Sequence, residues 1–233
     1  MESAENFAEI NQVASNRVAD TLAAESSRLS LARIGIDALP GDLTASNRVT
    51  HITVLDLKHN ALQILPSELF LCVTQLEEVD ASKNRISYLP ETIGLATGLR
   101  KLNLQGNCLR DIPNGLCLLQ VLETLDLAQN MLESLPKEIG GLKRLRRLDL
   151  ANNRLEEIPD EASLLEELEH VGLQGNPIQR MPLAIERLQT KGELLRSKAR
   201  RQKLVSRALH VRGSVRAAFA NECFEDQTLV SLS

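Results

Sequence analysis

The stretch LETLDLAQNMLESLPKEIG, at residues 122–140, decides the fold of this chain. Leu125 and Leu127 alternate with polar residues, a period of two that is typical of a β-strand with one buried face. Asn130 follows where the chain must bend away from the strand. Pro136 then favours a turning return over a long helix, because proline lacks a backbone donor and restricts its own φ. The stretch therefore predicts one strand and one return segment that share a core.

The same pattern recurs along the chain at nearly constant spacing. Its asparagine recurs with one gap of 24 residues and four gaps of 23, at Asn60, Asn84, Asn107, Asn130, Asn153 and Asn176. Seven of the eight prolines occupy one position of the pattern. They are Pro40, Pro66, Pro90, Pro113, Pro136, Pro159 and Pro182. Because one copy cannot bury its own leucines, the stacked copies together form the folding unit.

This pattern, LxxLxLxxNxLxxLPxxI, resembles that of the leucine-rich repeat family. The resemblance covers about residues 26–188 in six or seven copies. It implies an α/β fold, a curved leucine-rich repeat solenoid with a parallel β-sheet on the concave face and helical caps at both ends. The 23-residue LPxxI form and the run GNPI at residues 175–178 are similar to the short intracellular members, in the group that contains the Ras suppressor protein.

The recurring asparagines are predicted to have a structural role. A short carboxamide offers both a donor and an acceptor to backbone groups left unpaired at a bend. We therefore expect a ladder of amides through the core, with Asn107, Asn130 and Asn153 buried and bonded to backbone. Ile34 stands where the first repeat would carry its asparagine, so the ladder is expected to begin at Asn60.

The chain is predicted to have four segments. These are an N-terminal capping helix at residues 1–27, seven repeats at 28–188, a basic C-terminal helix at 189–219 and a flexible acidic and polar tail at 220–233. In the first segment, Ile10, Ala14, Val18 and Leu22 recur at helical spacing. This helix is predicted to cover the open end of the first repeat, as solenoids require. The alternative is an amphipathic helix that binds a partner.

The concave face carries the first set of candidate binding residues. Side chains alternate along a strand, so the residues between the strand leucines face solvent and include four aspartates. Such a row of like charges attracts a Lys- or Arg-rich protein surface. The alternative is an ordinary solvated surface, since Asp at this position is family consensus. The candidates are Asp56, Glu78, Asp80, Lys101, Asn103, Asp126, Arg147, Asp149 and His170.

The C-terminal segment carries the second set. Residues 191–216 contain nine Lys or Arg and one Glu, in a chain whose net charge is −4. Apolar residues recur there at helical spacing, which predicts an amphipathic helix. The inner half, to about Val205, is predicted to cap the last repeat. The outer half is predicted to bind an acidic protein in preference to RNA or lipid, through Arg207, Leu209, Arg212, Arg216 and Phe219.

No motif for chemistry is found in the sequence. Phosphate loops, GxSxG and HExxH are absent, and the four histidines show no metal-ligand spacing. We therefore predict no catalytic residue, no cofactor and no metal. The four cysteines show no paired spacing, the N-terminus lacks an apolar signal region and no stretch reaches the length of a membrane span. These observations predict a cytoplasmic protein with reduced thiols.

The sequence therefore predicts a non-enzymatic intracellular scaffold or adaptor for protein–protein interaction. It is expected to be a monomer or a subunit of a hetero-complex. The alternative is a regulatory or targeting subunit that docks through its basic C-terminal helix to an acidic protein, nucleic acid or a membrane surface.

Overall fold

The computed structural model describes residues 2–44 and 49–188, with side chains described for 8–43 and 49–188. Helix α1 (Glu2–Ala23) precedes seven strands of three residues each. These are β1 (Arg28–Ser30), β2 (Val54–Asp56), β3 (Glu78–Asp80), β4 (Lys101–Asn103), β5 (Thr124–Asp126), β6 (Arg147–Asp149) and β7 (His170–Gly172). They form one parallel sheet whose strand order is the order along the chain. The predicted C-terminal helix and tail lie outside the described residues.

Short helical segments connect the strands. They are α2 (Gly41–Thr44), α3 (Ser67–Cys72) and the 3₁₀ helices η1 (Glu91–Leu95), η2 (Asn114–Leu118), η3 (Lys137–Gly141) and η4 (Asp160–Leu164). Residues 183–188 are also helical. The segments from α3 to η4 each begin directly after a repeat proline with extended backbone, such as Pro136 at φ −66° and ψ 148°. The proline ring fixes this φ, and the residue that follows is then free to start the turn.

Strands and connecting turns pack on one core. Leu125 of β5 and Ile139 of η3 are both fully buried in the same cluster. Within the sheet, Leu125 pairs in register with Leu102 on one side and Leu148 on the other. Equivalent leucines therefore stack on one another from repeat to repeat. This is the α/β solenoid with a parallel sheet that the sequence predicts.

Helix α1 packs at the first end of this core. Ala14 and Val18 are fully buried in the common cluster. The Arg17 guanidinium donates to the carbonyl oxygen of Ser30, in β1, at 3.2 Å. These contacts support the proposal that α1 caps the first repeat.

A ladder of asparagine side chains ties each repeat to the one before it. Asn130 Nδ2 donates to the carbonyl oxygens of Leu104 and Leu127, at 2.9 and 3.0 Å, and its Oδ1 accepts the Leu109 N–H at 3.1 Å. Leu104 and Leu109 belong to the preceding repeat. Four of these asparagines are only 6–7% exposed, namely Asn84, Asn107, Asn130 and Asn153. Each of these four side chains satisfies buried backbone groups.

The ladder begins at Asn60, because the first repeat has Ile34 in the asparagine position. Asn60 Oδ1 accepts the N–H groups of Ile34 and Gly35 at 3.1 and 2.8 Å. Asn60 Nδ2 donates to the Leu31 carbonyl at 2.8 Å. The Asn60 side chain therefore forms hydrogen bonds with the backbone of the first repeat as well as with that of its own repeat.

The residue before each ladder asparagine has a left-handed backbone, a feature that the sequence analysis did not identify. Its φ is +56° at Lys83, +58° at Gln129 and +56° at Asn152. Glycine, which adopts this conformation without steric cost, occupies the position only at Gly106 and Gly175, with φ of +69° and +77°. The left-handed residue turns the chain so that the next side chain enters the core.

Candidate protein-binding face

The solvent side of the seven strands, which we call the sheet face, corresponds to the concave face of the sequence analysis. Strand pairing aligns its central residues in one row. In order along the sheet these are Ser30, Asp56, Asp80, Asn103, Asp126, Asp149 and Gly172. Asp56 and Asp80 are therefore neighbours in space, as are Asp126 and Asp149, although 23 or more residues separate the members of each pair in sequence.

The acidic side chains of this row also close the bend after each strand. Asp126 Oδ1 accepts the Ala128 N–H at 3.0 Å. Asp149 and Asn103 accept from the residue two positions later in the same way, at 3.1 Å each. Short Asp and Asn side chains favour such local bonds. One oxygen of Asp126 and of Asp149 is thus held by the backbone. The second oxygen of Asp126 is left for other contacts, whereas that of Asp149 lies 3.9 Å from Arg147 Nη2.

Asp56 does not belong to the accessible part of the row, which corrects the sequence-based assignment. It is only 6% exposed. Its Oδ1 accepts the Lys58 N–H at 3.3 Å, and its Oδ2 lies 3.3 Å from both Lys58 Nζ and Ser30 Oγ. Its charge is therefore compensated within the chain.

Asp126 carries an incompletely compensated charge. Burial raises its pKa above the ordinary value of an aspartate, and the carboxylates of Asp149 and Asp80 raise this pKa further. The Ala128 N–H and the Arg147 guanidinium lower it. Arg147 also lies 3.9 Å from Asp149 Oδ2. A cation brought to the sheet face by another molecule would therefore stabilise ionised Asp126.

Small side chains lie beside these two carboxylates. Ala128 and Ala151 follow the strands β5 and β6 and are 4% and 3% exposed. The equivalent positions of the flanking repeats carry the longer Gln105 and Gln174. The side chains beside these two carboxylates are therefore shorter than those in the flanking repeats.

Gly172 closes one end of the row and is buried. Asp149 Oδ1 lies 2.5 Å from the position that a Cβ at Gly172 would occupy. A side chain at this position would displace the carboxylate. The absence of a side chain at Gly172 therefore leaves the space that the Asp149 carboxylate occupies on the sheet face.

The remaining candidates form a second row beside the first. Strand pairing aligns Glu78 with Lys101, and Arg147 with His170. Lys101 Nζ lies 3.6 Å from Glu78 Oε2. The two side chains of that ion pair are 59% and 43% exposed, so the pair contributes little to stability. The sheet face thus carries mixed charge along one row and acidic charge along the other.

Comparison with known proteins places these features in a family. A leucine rich repeat family model matches residues 97–155 and 121–178. The chain is a leucine-rich repeat protein. It is similar to leucine-rich repeat-containing protein 7 of Rattus norvegicus and of Homo sapiens, with 37% identity over 68 residues in each case. The match covers 29% of this chain and only 5% and 4% of those two proteins.

Solved structures of other leucine-rich repeat proteins resemble this one. A leucine-rich repeat protein of Leptospira interrogans is 29% identical, with a TM-score of 0.62, over 73% of this chain and 49% of its own. The plant peptide hormone receptor RGFR1, in complex with RGF2, is 26% identical, with a TM-score of 0.55, over 63% of this chain and 24% of its own. The chain thus spans less than half of either protein.

The C-terminal candidates of this leucine-rich repeat protein lie outside the described residues. They are Arg207, Leu209, Arg212, Arg216 and Phe219. Within residues 2–44 and 49–188, no helix is long and apolar enough to cross a membrane. The same part of the chain contains no group of His, Cys, Asp and Glu suited to a metal ion.

Cys117, of η2, is a thiol of low reactivity. It is 2% exposed. Burial, followed by the charges of Glu138 and Glu91, raises its pKa to about 12. Since the thiolate is the reactive form, Cys117 acts as a small apolar residue of the core.

Proposed function

We propose that this leucine-rich repeat protein is a non-enzymatic interaction protein whose sheet face binds a basic segment of another protein. It would act in the cytoplasm as a scaffold or adaptor, within a larger complex. The observation that carries the proposal is the pair Asp126 and Asp149, each with one oxygen held by backbone, beside the small side chains of Ala128 and Ala151.

A Lys or Arg side chain fits this arrangement. The backbone bonds hold both carboxylates in position before a partner arrives, so little ordering is required on binding. A charge-assisted bond to the second oxygen of Asp126 would also offset the repulsion from Asp149 and Asp80. The alanines leave room for the aliphatic part of the incoming side chain.

The comparisons support the class of function and not the partner. Leucine-rich repeats generally mediate contacts between proteins, and RGFR1 is seen in complex with RGF2. Because the chain covers a small share of these relatives, their own partners are not transferred to it.

The test removes charge from the sheet face without removing the backbone bonds. The double variant Asp126→Asn/Asp149→Asn keeps an acceptor for each N–H, as Asn103 does naturally. The matched control Glu133→Gln/Glu156→Gln removes two exposed charges from outside the sheet face. Each full-length protein is used to capture partners from a cell extract at two salt concentrations.

We expect the sheet-face variant to lose partners that the wild type and the control both retain. The remaining binding should depend less on salt, because the steering charge has been removed. Equal capture by all three proteins would overturn the proposed site.

The basic segment gives a second candidate, supported only by its sequence. Truncation after Val205 would remove Arg207, Leu209, Arg212, Arg216 and Phe219. We expect this truncation to leave the melting temperature nearly unchanged and to remove one interaction with an acidic protein. A truncated protein that keeps every interaction would exclude this alternative.

A further inference from the structure

The surface formed by α3 and η1–η4, which we call the turn face, exposes a row of leucines. They occupy the fifth position after the repeat proline and are 50–63% exposed: Leu71, Leu95, Leu118 and Leu164. In η3 the same position is Gly141. The row therefore consists of projecting leucines with one gap.

The gap at Gly141 is required by the packing of the turns. A Cβ at Gly141 would lie 2.9 Å from the carbonyl oxygen of Cys117, a backbone atom that cannot move independently. In the next turn, Leu164 projects beside the gap, and its Cδ1 lies 3.2 Å from the position of a Cβ at Gly140. Adjacent turns thus present a depression in η3 and a projecting leucine in η4.

The repeats that contain η3 and η4 carry opposite charges at equivalent positions. One position has Lys137 in η3 and Asp160 in η4. Two further positions lie just after each turn. The first has Lys143 in one repeat and Glu166 in the next, and the second has Arg144 and Glu167. All six side chains are exposed. The first, seventh and eighth positions after the repeat proline are therefore basic in one repeat and acidic in the next.

Ion pairs within the chain leave much of this charge unpaired. Arg146 Nη2 lies 3.2 Å from Glu167 Oε2, and Arg180 Nη2 lies 2.9 Å from Asp160 Oδ2. Within the described part of the chain, Lys137, Lys143 and Arg144 have no carboxylate oxygen within 4.0 Å. The basic row is therefore available to another molecule.

We propose that the turn face binds a second copy of this chain, with a two-fold axis that runs between η3 and η4 and parallel to them. Such a rotation places each residue of one row opposite the equivalent position of the other row. Lys137 then faces the partner's Asp160, and Lys143 faces the partner's Glu166. Leu164 faces the gap at the partner's Gly141. Each of these contacts is made twice.

Charge complementarity identifies the occupant. A surface with one sign of charge would fit many partners of the opposite sign. Here, three positions of two adjacent turns carry opposite charges, whereas the position of Glu138 and Glu161 is acidic in both, and a projecting leucine lies one repeat away from a gap. A patch of this kind is complementary to itself, which a two-fold interface requires. The dimer differs from the monomer expected from the sequence, and it leaves both sheet faces accessible.

The test uses two charge reversals in the full-length chain, followed by sedimentation equilibrium in low salt. In Lys143→Glu, residue 143 would face a like charge on the second copy at both contacts. Glu166→Lys produces the same repulsion with the opposite sign. We expect each variant alone to have a dissociation constant at least about tenfold weaker than the wild type. An equimolar mixture of the two variants should form a heterodimer, because each contact is then between opposite charges.

The apolar contact has its own matched pair of variants. Leu164→Ser removes the projecting leucine, and Leu95→Ser removes a leucine of equal exposure, 50%, from η1. We expect the dimer to weaken at least about tenfold in the first variant only, because Leu164 is lost from both of its contacts with the second copy. A wild type that stays monomeric at millimolar concentration would overturn the proposal. So would a variant mixture no more associated than its components.

Discussion

Single polar side chains hold the backbone bends of this protein together. Asn130 serves three backbone groups, of which Leu104 O and Leu109 N–H belong to the neighbouring repeat. Asn130→Ala should lower the free energy of unfolding by about 1–3 kcal/mol, because these buried groups lose their partners. Urea denaturation measures the change, with the exposed Ser134→Ala as control. A variant as stable as the control would show that the ladder does not hold the repeats together.

Asp126 combines a structural bond with an unfavourable charge, and the two effects can be separated by pH. Because its folded pKa is raised, its contribution to stability is full below the ordinary aspartate pKa and is lost as pH rises through the raised value. Asp126→Asn keeps the acceptor and carries no charge. We expect the stability of this variant relative to wild type to increase as pH rises from about 3 to 6.

Asp126→Ala is the comparison that tests the bond alone. It removes the acceptor of the Ala128 N–H. It should be less stable than Asp126→Asn by about 0.5–1.5 kcal/mol at every pH. Urea denaturation across this pH range measures both differences. A stability difference between Asp126→Asn and wild type that does not change with pH would contradict the electrostatic argument.

At the scale of elements, the bend after each strand depends on one left-handed residue. Gln129 has φ +58°, a conformation that β-branched side chains resist strongly. Gln129→Val should destabilise the protein by about 1–2 kcal/mol, whereas Gln129→Gly should be close to neutral, since relief of strain offsets the greater entropy of the unfolded chain. Thermal melts of the two variants make the comparison. Equal melting temperatures would show that this bend tolerates any backbone conformation.

The sequence predicts these elements wherever burial repeats with a fixed period. The alternation around Leu125 and the regular spacing of Asn130 and its equivalents are enough to define the strands, the core and the ladder. The left-handed residue has no recurring residue type that the sequence would reveal, because Lys83 and Gln129 occupy a position that is glycine in other repeats. The bonds from Asp126 and Asp149 to the backbone two residues later were also missed, since an aspartate on a solvent-facing position is equally compatible with a binding role.

The accessibility of the candidate site was harder to predict than its position. The register placed Asp56, Asp126 and Asp149 in one row, and strand pairing aligns them in this way. Which of them is accessible depends on neighbouring side chains. Lys58 and Ser30 cover Asp56, whereas alanines flank the other two. Such contacts depend on three-dimensional packing, for which a single sequence provides no periodic signal.

At the scale of the whole molecule, stability comes from contacts between adjacent repeats. Deleting residues 122–144 removes one full period and joins equivalent positions of neighbouring copies. We expect a folded, shorter protein with a cooperative transition at a lower temperature, because each repeat contacts only its neighbours. Deleting residues 122–132 instead breaks the register and should prevent folding. Circular dichroism distinguishes the two. Similar unfolding of both deletion variants would contradict the claim that stability comes from contacts between adjacent repeats.

The central claim is that a partner protein binds the sheet face, and the lysines of the chain can test it directly. Lys58 and Lys101 lie on the sheet face, and Lys137 and Lys143 lie on the turn face. The measurement is lysine-specific crosslinking of the full-length protein in complex with a captured partner, followed by mass spectrometry. We predict crosslinks from the partner to Lys58 and Lys101. Partner crosslinks confined to Lys137 and Lys143 would contradict the account.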